Sequence, residues 1–255
     1  MRVVVLVASV VACLLFSGCQ SAAQPQETRQ SANPTAQPQS QAPVPPGQVA
    51  PAVAAEKPVP PAPQVPPPGQ EISLFDGKTL GQWKVTDFGG QGEVSVKDGA
   101  IHMATGSYMT GITWTGPLVR MNYEITLEAM RVEGSDFFCG LTFPVDDKPC
   151  TLILGGWGGG LCGLSSLNHM DASENETTRF ISFENGKWYR VRLRVVPDRI
   201  QAWLNDETLV DVDTTDKNIG IRIEVEESKP LGVATWNTAG AVRNIKLKKA
   251  PDQGQ

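Results

Sequence analysis

Trp188-Tyr189-Arg190-Val191-Arg192-Leu193-Arg194-Val195-Val196, followed after Pro197-Asp198 by Arg199-Ile200-Gln201-Ala202-Trp203-Leu204, is the stretch that decides the fold class. In an extended chain, successive side chains point to opposite faces. Tyr189, Val191, Leu193 and Val195 therefore share one apolar face, and Arg190, Arg192 and Arg194 share the other. That period of two predicts half-buried strands, and the Pro-Asp step predicts the turn that pairs them antiparallel. The three arginines read as a cross-strand charge ladder, with a ligand-binding basic face as the alternative.

Working outward, the same pattern recurs. Toward the N-terminus, Tyr123, Ile125, Leu127 and Ala129 alternate with Glu124, Thr126, Glu128 and Met130 inside residues 120–132. Residues 136–143 and 150–154 flank Asp146-Asp147 as a further hairpin, and Asp98-Gly99 joins residues 93–97 to 100–103. Toward the C-terminus, Asn205-Asp206 turns into residues 208–212. Ile219, Ile221, Ile223 and Val225 alternate with Arg222 and Glu224, which predicts another strand, and residues 231–236 and 241–248 close the series. No segment carries a long helical period. About a dozen short strands at this spacing predict an all-β, antiparallel β-sandwich over residues 71–250, with a short tail at 251–255. A domain of that size buries roughly 70% of its unfolded surface and needs no metal to fold.

The chain before residue 71 is of another kind. Residues 1–18 join Arg2 to an apolar run too short to span a bilayer comfortably, as in a signal peptide. The run ends in Phe16-Ser17-Gly18-Cys19, which resembles a bacterial lipoprotein cleavage box and implies a lipid on Cys19. An ordinary signal peptide or signal anchor is the alternative. Residues 19–70 hold 14 of the 20 prolines and no aromatic residue, so they are expected to form a disordered spacer. The expectation is a domain held at the bacterial cell envelope by its lipid. Gln20 after the cysteine, in place of aspartate, implies the outer membrane, with the domain in the periplasm or at the cell surface. The net charge of −5 supplies no basic stripe and argues against nucleic acid as a partner. Beyond the signal and Cys19, three cysteines remain: Cys139, Cys150 and Cys162. A hairpin disulfide between Cys139 and Cys150 and three buried thiols are both open on this count.

Residues 136–180 gather the candidate site. Trp157 stands among five glycines, Gly155, Gly156, Gly158, Gly159 and Gly160, either as an exposed sugar-stacking platform or as a core residue at a strand bend. The segment lacks the Gly-Lys-Ser/Thr ending of a phosphate loop. Asp136, Asp171 and Glu176 are candidates for a catalytic base or for oxygen ligands to a cation; solvated loop acids are the plainer reading. Asn168 and Asn175 offer a donor and an acceptor for sugar hydroxyls, or simply serve turns. His169 is the candidate for proton transfer, whereas His102 reads as a half-buried packing residue. Glu128 is either a ligand contact on a concave sheet face or a solvated partner of one of Arg190, Arg192 and Arg194.

Three pieces taken together carry a family resemblance: Leu74-Phe75-Asp76-Gly77-Lys78-Thr79-Leu80 with Trp83, Val96-Lys97-Asp98-Gly99-Ala100-Ile101, and Val242-Arg243-Asn244-Ile245-Lys246. The set resembles the bacterial 3-keto-disaccharide hydrolase domain, also described as a 3-keto-glucoside lyase/hydratase. The resemblance implies a concanavalin A-like jelly roll, a carbohydrate ligand, and chemistry on sugars oxidised at C3. Such a site needs a general base and something to stabilise an enolate, for which a divalent cation is one means. The middle of this chain, Ser135 to Pro144, departs from the Asn-Ser-Gly pattern that family members often carry there. The closely spaced Glu, Asp and Glu of laminarinases are absent too, so direct retaining glycosidase chemistry is not expected. A non-catalytic carbohydrate-binding module and a structural sandwich are the alternatives on the same fold.

Overall fold

The alternation read from the sequence becomes two antiparallel sheets in the computed structural model, which describes residues 65–250. The first sheet contains β1 (Glu71–Ser73), β3 (Val94–Lys97), β4 (Ala100–Met103), β6 (Tyr123–Glu133), β11 (Trp188–Val196), β12 (Arg199–Leu204), β13 (Glu207–Asp213) and β15 (Ala239–Lys249). Its order is β13-β12-β11-β6-β15-β4-β3, with β1 also paired to β15. The second contains β2 (Trp83–Val85), β5 (Met109–Trp114), β7 (Cys139–Val145), β8 (Lys148–Gly156), β9 (Leu161–Ser165), β10 (Arg179–Phe180) and β14 (Gly232–Trp236), in the order β10-β9-β8-β7-β14-β5-β2. The signal segment, Cys19 and most of the proline-rich stretch lie outside the described residues, as does the tail after Ala250.

One apolar core lies between the sheets. β6 and β11 send Tyr123, Ile125, Leu127, Tyr189, Val191 and Leu193 into it, and β7 and β8 answer with Leu141, Phe143, Leu152 and Leu154. Phe138 is completely buried, with the rings of Phe183 and Tyr189 at 5.0 and 6.1 Å. The Leu74–Leu80 motif plugs one end. Leu74 and Phe75 enter the core, Asp76 accepts the N–H groups of Lys78 and Thr79 at 2.7 Å, and Trp83 donates its indole N–H to Leu74 O at 2.9 Å.

The two sheets differ in how they meet solvent. β6 and β11 bury one face, but every residue of β5, β7 and β9 is buried. The second sheet is therefore covered on its outer face as well. Part of that cover is residues 219–228, where the sequence predicted a strand. Instead, an irregular segment leads into a short 3₁₀ helix, Ile223–Ser228. The alternation misleads because Ile223 is 85% exposed while Ile219 and Val225 are buried. The segment packs on the sheet through two anchors rather than lining up as an edge.

The arginines of β11 form a charged outer face on the first sheet, but their partners are not those expected of a simple ladder. Arg190 pairs with Asp206 and Arg192 with Glu124 at 3.5 Å. Glu128 pairs with Arg243 at 2.6 Å, not with an arginine of β11. His102 is half-buried on β4 between Ser95 and Ala241.

The cysteines are three buried free thiols. Cys150 sits opposite Phe143, four residues along β7 from Cys139. At the rise of a strand that offset is about 13 Å, beyond the Cα separation a disulfide spans. Burial pushes Cys139 and Cys150 up to about 12 and Cys162 up to about 11. Iodoacetamide at pH 8 is expected to leave all three unmodified in the folded chain and to alkylate all three in guanidinium, as read by mass spectrometry. Phe138→Ala is expected to lower unfolding free energy by about 3–5 kcal/mol in a denaturant titration.

Candidate functional site

A cleft opens on the outer face of the second sheet, where the cover fails to meet the floor. The sheet around it carries mostly small side chains in register across the strands, and of these rows Thr151, Ile153 and Ser165 line the cleft. One row runs Gly111, Ala234, Gly140, Ile153 and Gly163 over β5, β14, β7, β8 and β9. The next row runs Thr113, Gly232, Thr142, Thr151 and Ser165. Glycine inside a strand marks a place where something approaches the backbone closely. Here a Cβ on Gly140 would come within 3.1 Å of the Phe137 ring, so that ring lies against bare backbone.

The cleft measures about 200 Å³ and is walled by Met109, Phe137, Ile153, Trp157, Val225 and Trp236. Trp236 stacks between Phe137 (6.4 Å, 35°) and Tyr108 (5.5 Å, 44°), so an aromatic row leads from the cleft to the surface. Tyr108 and Trp157 are exposed, both at positive φ. Trp157 caps the β8–β9 turn, where Gly159 N–H bonds Gly156 O at 3.1 Å. Apolar rings with a few convergent polar groups are the kind of lining that small-molecule sites share.

The polar groups of the cleft are Asp136, Arg222, Glu224, Thr151 and Ser165. Asp136 is fixed by its neighbours. Its Oδ1 accepts Phe137 N–H at 2.7 Å and its Oδ2 accepts Gly158 N–H at 3.2 Å. Arg222 is a clamp. Its Nη1 donates to Asp171 at 2.6 Å, and its Nε and Nη2 donate to the two oxygens of Glu224 at 3.2 and 2.7 Å. One guanidinium thus ties the loop after β9 to the start of the 3₁₀ helix. Burial raises the Asp171 carboxyl, but the hydroxyl and N–H of Ser173, together with Arg222, more than offset this and hold it below its ordinary value. Arg222 likewise holds Glu224 low.

The other candidates from the sequence fall elsewhere. Asn175 is buried, and its amide nitrogen donates to Leu164 O and Asp171 O, both at 2.7 Å, while its oxygen accepts Thr177 N–H and Oγ1. It staples the loop to β9 and presents no free polar atom to a sugar. Asn168 and His169 lie at the exposed loop tip, bound to Asn218 through Asn168 Oδ1 and His169 Nε2, both at 2.8 Å. Glu176 pairs with Lys217 at 2.6 Å, outside the cleft lining. Glu128 lies on the outer face of the other sheet, across the core from the cleft, in a shallow charged groove with Arg190, Arg192 and Trp203. Of the sequence candidates, then, Asp136 and Trp157 line the cleft, and Asp171 reaches it through Arg222. Among the described residues no three His, Cys, Asp or Glu side chains converge to hold a metal ion. The residues present in the cleft do not fit a divalent cation.

A two-sheet antiparallel sandwich with a roofed outer face and an aromatic cleft defines a jelly-roll domain. The chain belongs to the 3-keto-alpha-glucoside-1,2-lyase-like domain family, whose sequence profile matches residues 70–248. Among solved structures it is similar to the Crh5 transglycosylase, at 11% identity and a TM-score of 0.50 over 74% of this chain and 90% of that one. It is also similar to a candidate glycosyl hydrolase from Parabacteroides distasonis, at 15% identity and a TM-score of 0.47 over 71% and 94% of the two chains. A third is the carbohydrate-binding module CBM66 from Bacillus subtilis, at 10% identity and a TM-score of 0.42 over 65% and 94%. No curated protein matches the chain. At these identities the structural likeness carries the fold alone.

The clamp makes a pH prediction. Asp171 and Glu224 both titrate below their ordinary 3.8 and 4.5 in the folded chain, so their contribution is complete above those values. It is lost as pH falls through the lower folded values. Hydrogen-exchange protection of residues 166–178 and 219–228, measured relative to the intrinsic rate at each pH, is expected to fall below about pH 4 before global unfolding. In Arg222→Ala the same segments should exchange fast already at pH 7.

Proposed function

We propose that this protein cleaves glycosides whose sugar is oxidised at C3, and that the cleft on the second sheet is its site. The observation that carries the reading is the joint placement of a carboxylate, Asp136, and a guanidinium, Arg222, among aromatic walls in one cleft of this family's fold. The rings of Phe137, Trp157 and Trp236 suit the apolar faces of a sugar. A ketone at C3 acidifies the C2 proton. Asp136 takes that proton, the C2–H electron pair forms the enolate, and the positive charge of Arg222 stabilises it. The enolate then expels the C1 substituent, whose oxygen leaves with the bonding pair and picks up a proton. Water adding back across C1 and C2 completes a net hydrolysis.

A second reading is favoured by one feature: Asp136 already accepts two backbone N–H bonds and Glu224 is held by Arg222, so each cleft carboxylate is engaged. On that reading the domain binds sugar without cleaving it. Incubation of the purified chain with a 3-keto-disaccharide separates the two. Turnover to 3-keto-glucose, falling by at least about 100-fold in Asp136→Asn, supports the enzyme. Binding without turnover, weakened in Trp157→Ala, supports the module. Absence of both binding and turnover contradicts the site altogether.

The proposal also places the domain at the cell envelope, held by a lipid on Cys19 with residues 20–70 as spacer. Cys19→Ala is expected to move the protein from the membrane fraction to the soluble envelope fraction; retention in the membrane would contradict the anchor.

A further inference from the structure

We infer that Ser165 is the residue that reads the ligand in the buried part of the cleft, and that it reads an uncharged hydroxyl or carbonyl oxygen of a single sugar ring. The inference rests on the carbohydrate reading given above. Ser165 ends β9 with its side chain on the outer face of the sheet, in register with Thr151, which is in register with Thr142. Three hydroxyls thus stand side by side across three strands. Thr142 and Thr151 satisfy each other, with their Oγ1 atoms 2.9 Å apart. Ser165 is 1% exposed, and its Oγ has no hydrogen-bond partner among the described residues.

A buried hydroxyl without a partner costs stability, so a fold keeps one where it has another use. Three other described side chains share this condition, Gln82, Thr214 and Ser228, but none of them lines the cleft. Ser165 and Thr151 do. A serine hydroxyl can both donate and accept, which matches a sugar hydroxyl as well as a ketone oxygen.

The surroundings fix the chemistry of what enters. The buried lining is Met109, Thr151, Ile153, Ser165 and Val225, without a charge. The charged residues Asp136, Arg222 and Glu224 are on the more exposed part of the lining. A carboxylate or phosphate carried inward would lose its water against a neutral hydroxyl alone, which is unfavourable. The space, about 200 Å³, admits one sugar ring, and the cleft is open to solvent on its outer side. The ligand therefore enters with one neutral ring inward and the rest of the glycoside toward the aromatic row of Trp236 and Tyr108.

The test is calorimetric titration and thermal melting of the purified wild-type chain and Ser165→Ala. The probes are methyl glucoside, its 3-keto derivative and methyl glucuronide. The wild type is expected to bind at least one neutral probe and to bind the glucuronide at least tenfold more weakly. Ser165→Ala is expected to lose about three- to tenfold in affinity for the neutral probe, as for one neutral hydrogen bond. It should melt at the same or a higher temperature, because no bond within the protein is lost. A variant that melts lower and binds as the wild type does would overturn the inference and make Ser165 structural. Unchanged affinity at any melting temperature, or equal binding of the glucuronide, overturns it while the carbohydrate reading stands. If the wild type binds none of the probes, the carbohydrate reading falls and takes this inference with it.

Discussion

The second sheet of the sandwich is buried on both faces, and the rest of the molecule follows from that. One face meets the first sheet across the common core. The other is roofed by residues 166–178, by the segment leading into the 3₁₀ helix and by Phe137. A roof of irregular backbone needs its own polar bonds met. Asn175 does this on one side, with its amide bonded to four backbone groups of the loop and of β9. On the other side Arg222 ties the roof together through side chains, joining Asp171 of the loop to Glu224 of the helix. The cleft is the gap left between these two anchored pieces and the aromatic residues.

Packing explains how closely the roof lies on the sheet around the gap. In the row Gly111, Ala234, Gly140, Ile153 and Gly163, four of five positions carry no side chain beyond a methyl. The roof can therefore approach the backbone itself. Larger side chains there would lift Phe137 and the loop away, since a Cβ at Gly163 would already stand 3.0 Å from Thr177 Oγ1. Close contact at the edges and open space in the middle make a small, partly dry site, where hydrogen bonds and charges act more strongly than in water. The first sheet has no such roof. Its outer face carries paired charges in solvent, with Arg192 lying 3.7 Å over Trp203 and Arg243 4.1 Å over Trp188. Exposed pairs of this kind contribute little each.

Much of the fold was legible because its signal is local. The alternation of Trp188–Val196 and Tyr123–Glu133, and the hairpin turns at Asp98-Gly99 and Asp146-Asp147, are statements about neighbours in sequence. The cleft was legible only in part, because its rows run across strands. Gly111, Gly140 and Gly163 look like unrelated glycines along the chain, and register alone brings them together. The conspicuous run from Gly155 to Gly160 proves to be the β8–β9 turn, with Trp157 at its tip. Arg222 and Glu224 sat inside an apparent strand pattern, so their joint approach to Asp171, some fifty residues earlier, had no trace in spacing. Phe137 and Trp236 carried a weaker signal: each is an aromatic residue near a strand end, and Phe137 follows the candidate Asp136. Asn175 stayed open between two roles in the sequence for a plain reason. An amide suited to a sugar is equally suited to a loop backbone, and burial decides between them.

The most direct measurement is a sugar titration of the chain followed through its indole N–H resonances. The six tryptophans sample the whole molecule: Trp157 and Trp236 in the cleft, Trp188 and Trp203 on the opposite sheet, Trp83 and Trp114 in the core. With a 3-keto-glycoside the account expects the Trp157 and Trp236 signals to shift with one common saturation curve while the other four stay in place. Shifts of Trp188 and Trp203 with a silent Trp157 and Trp236 would put the ligand on the other face and contradict the assignment of the cleft.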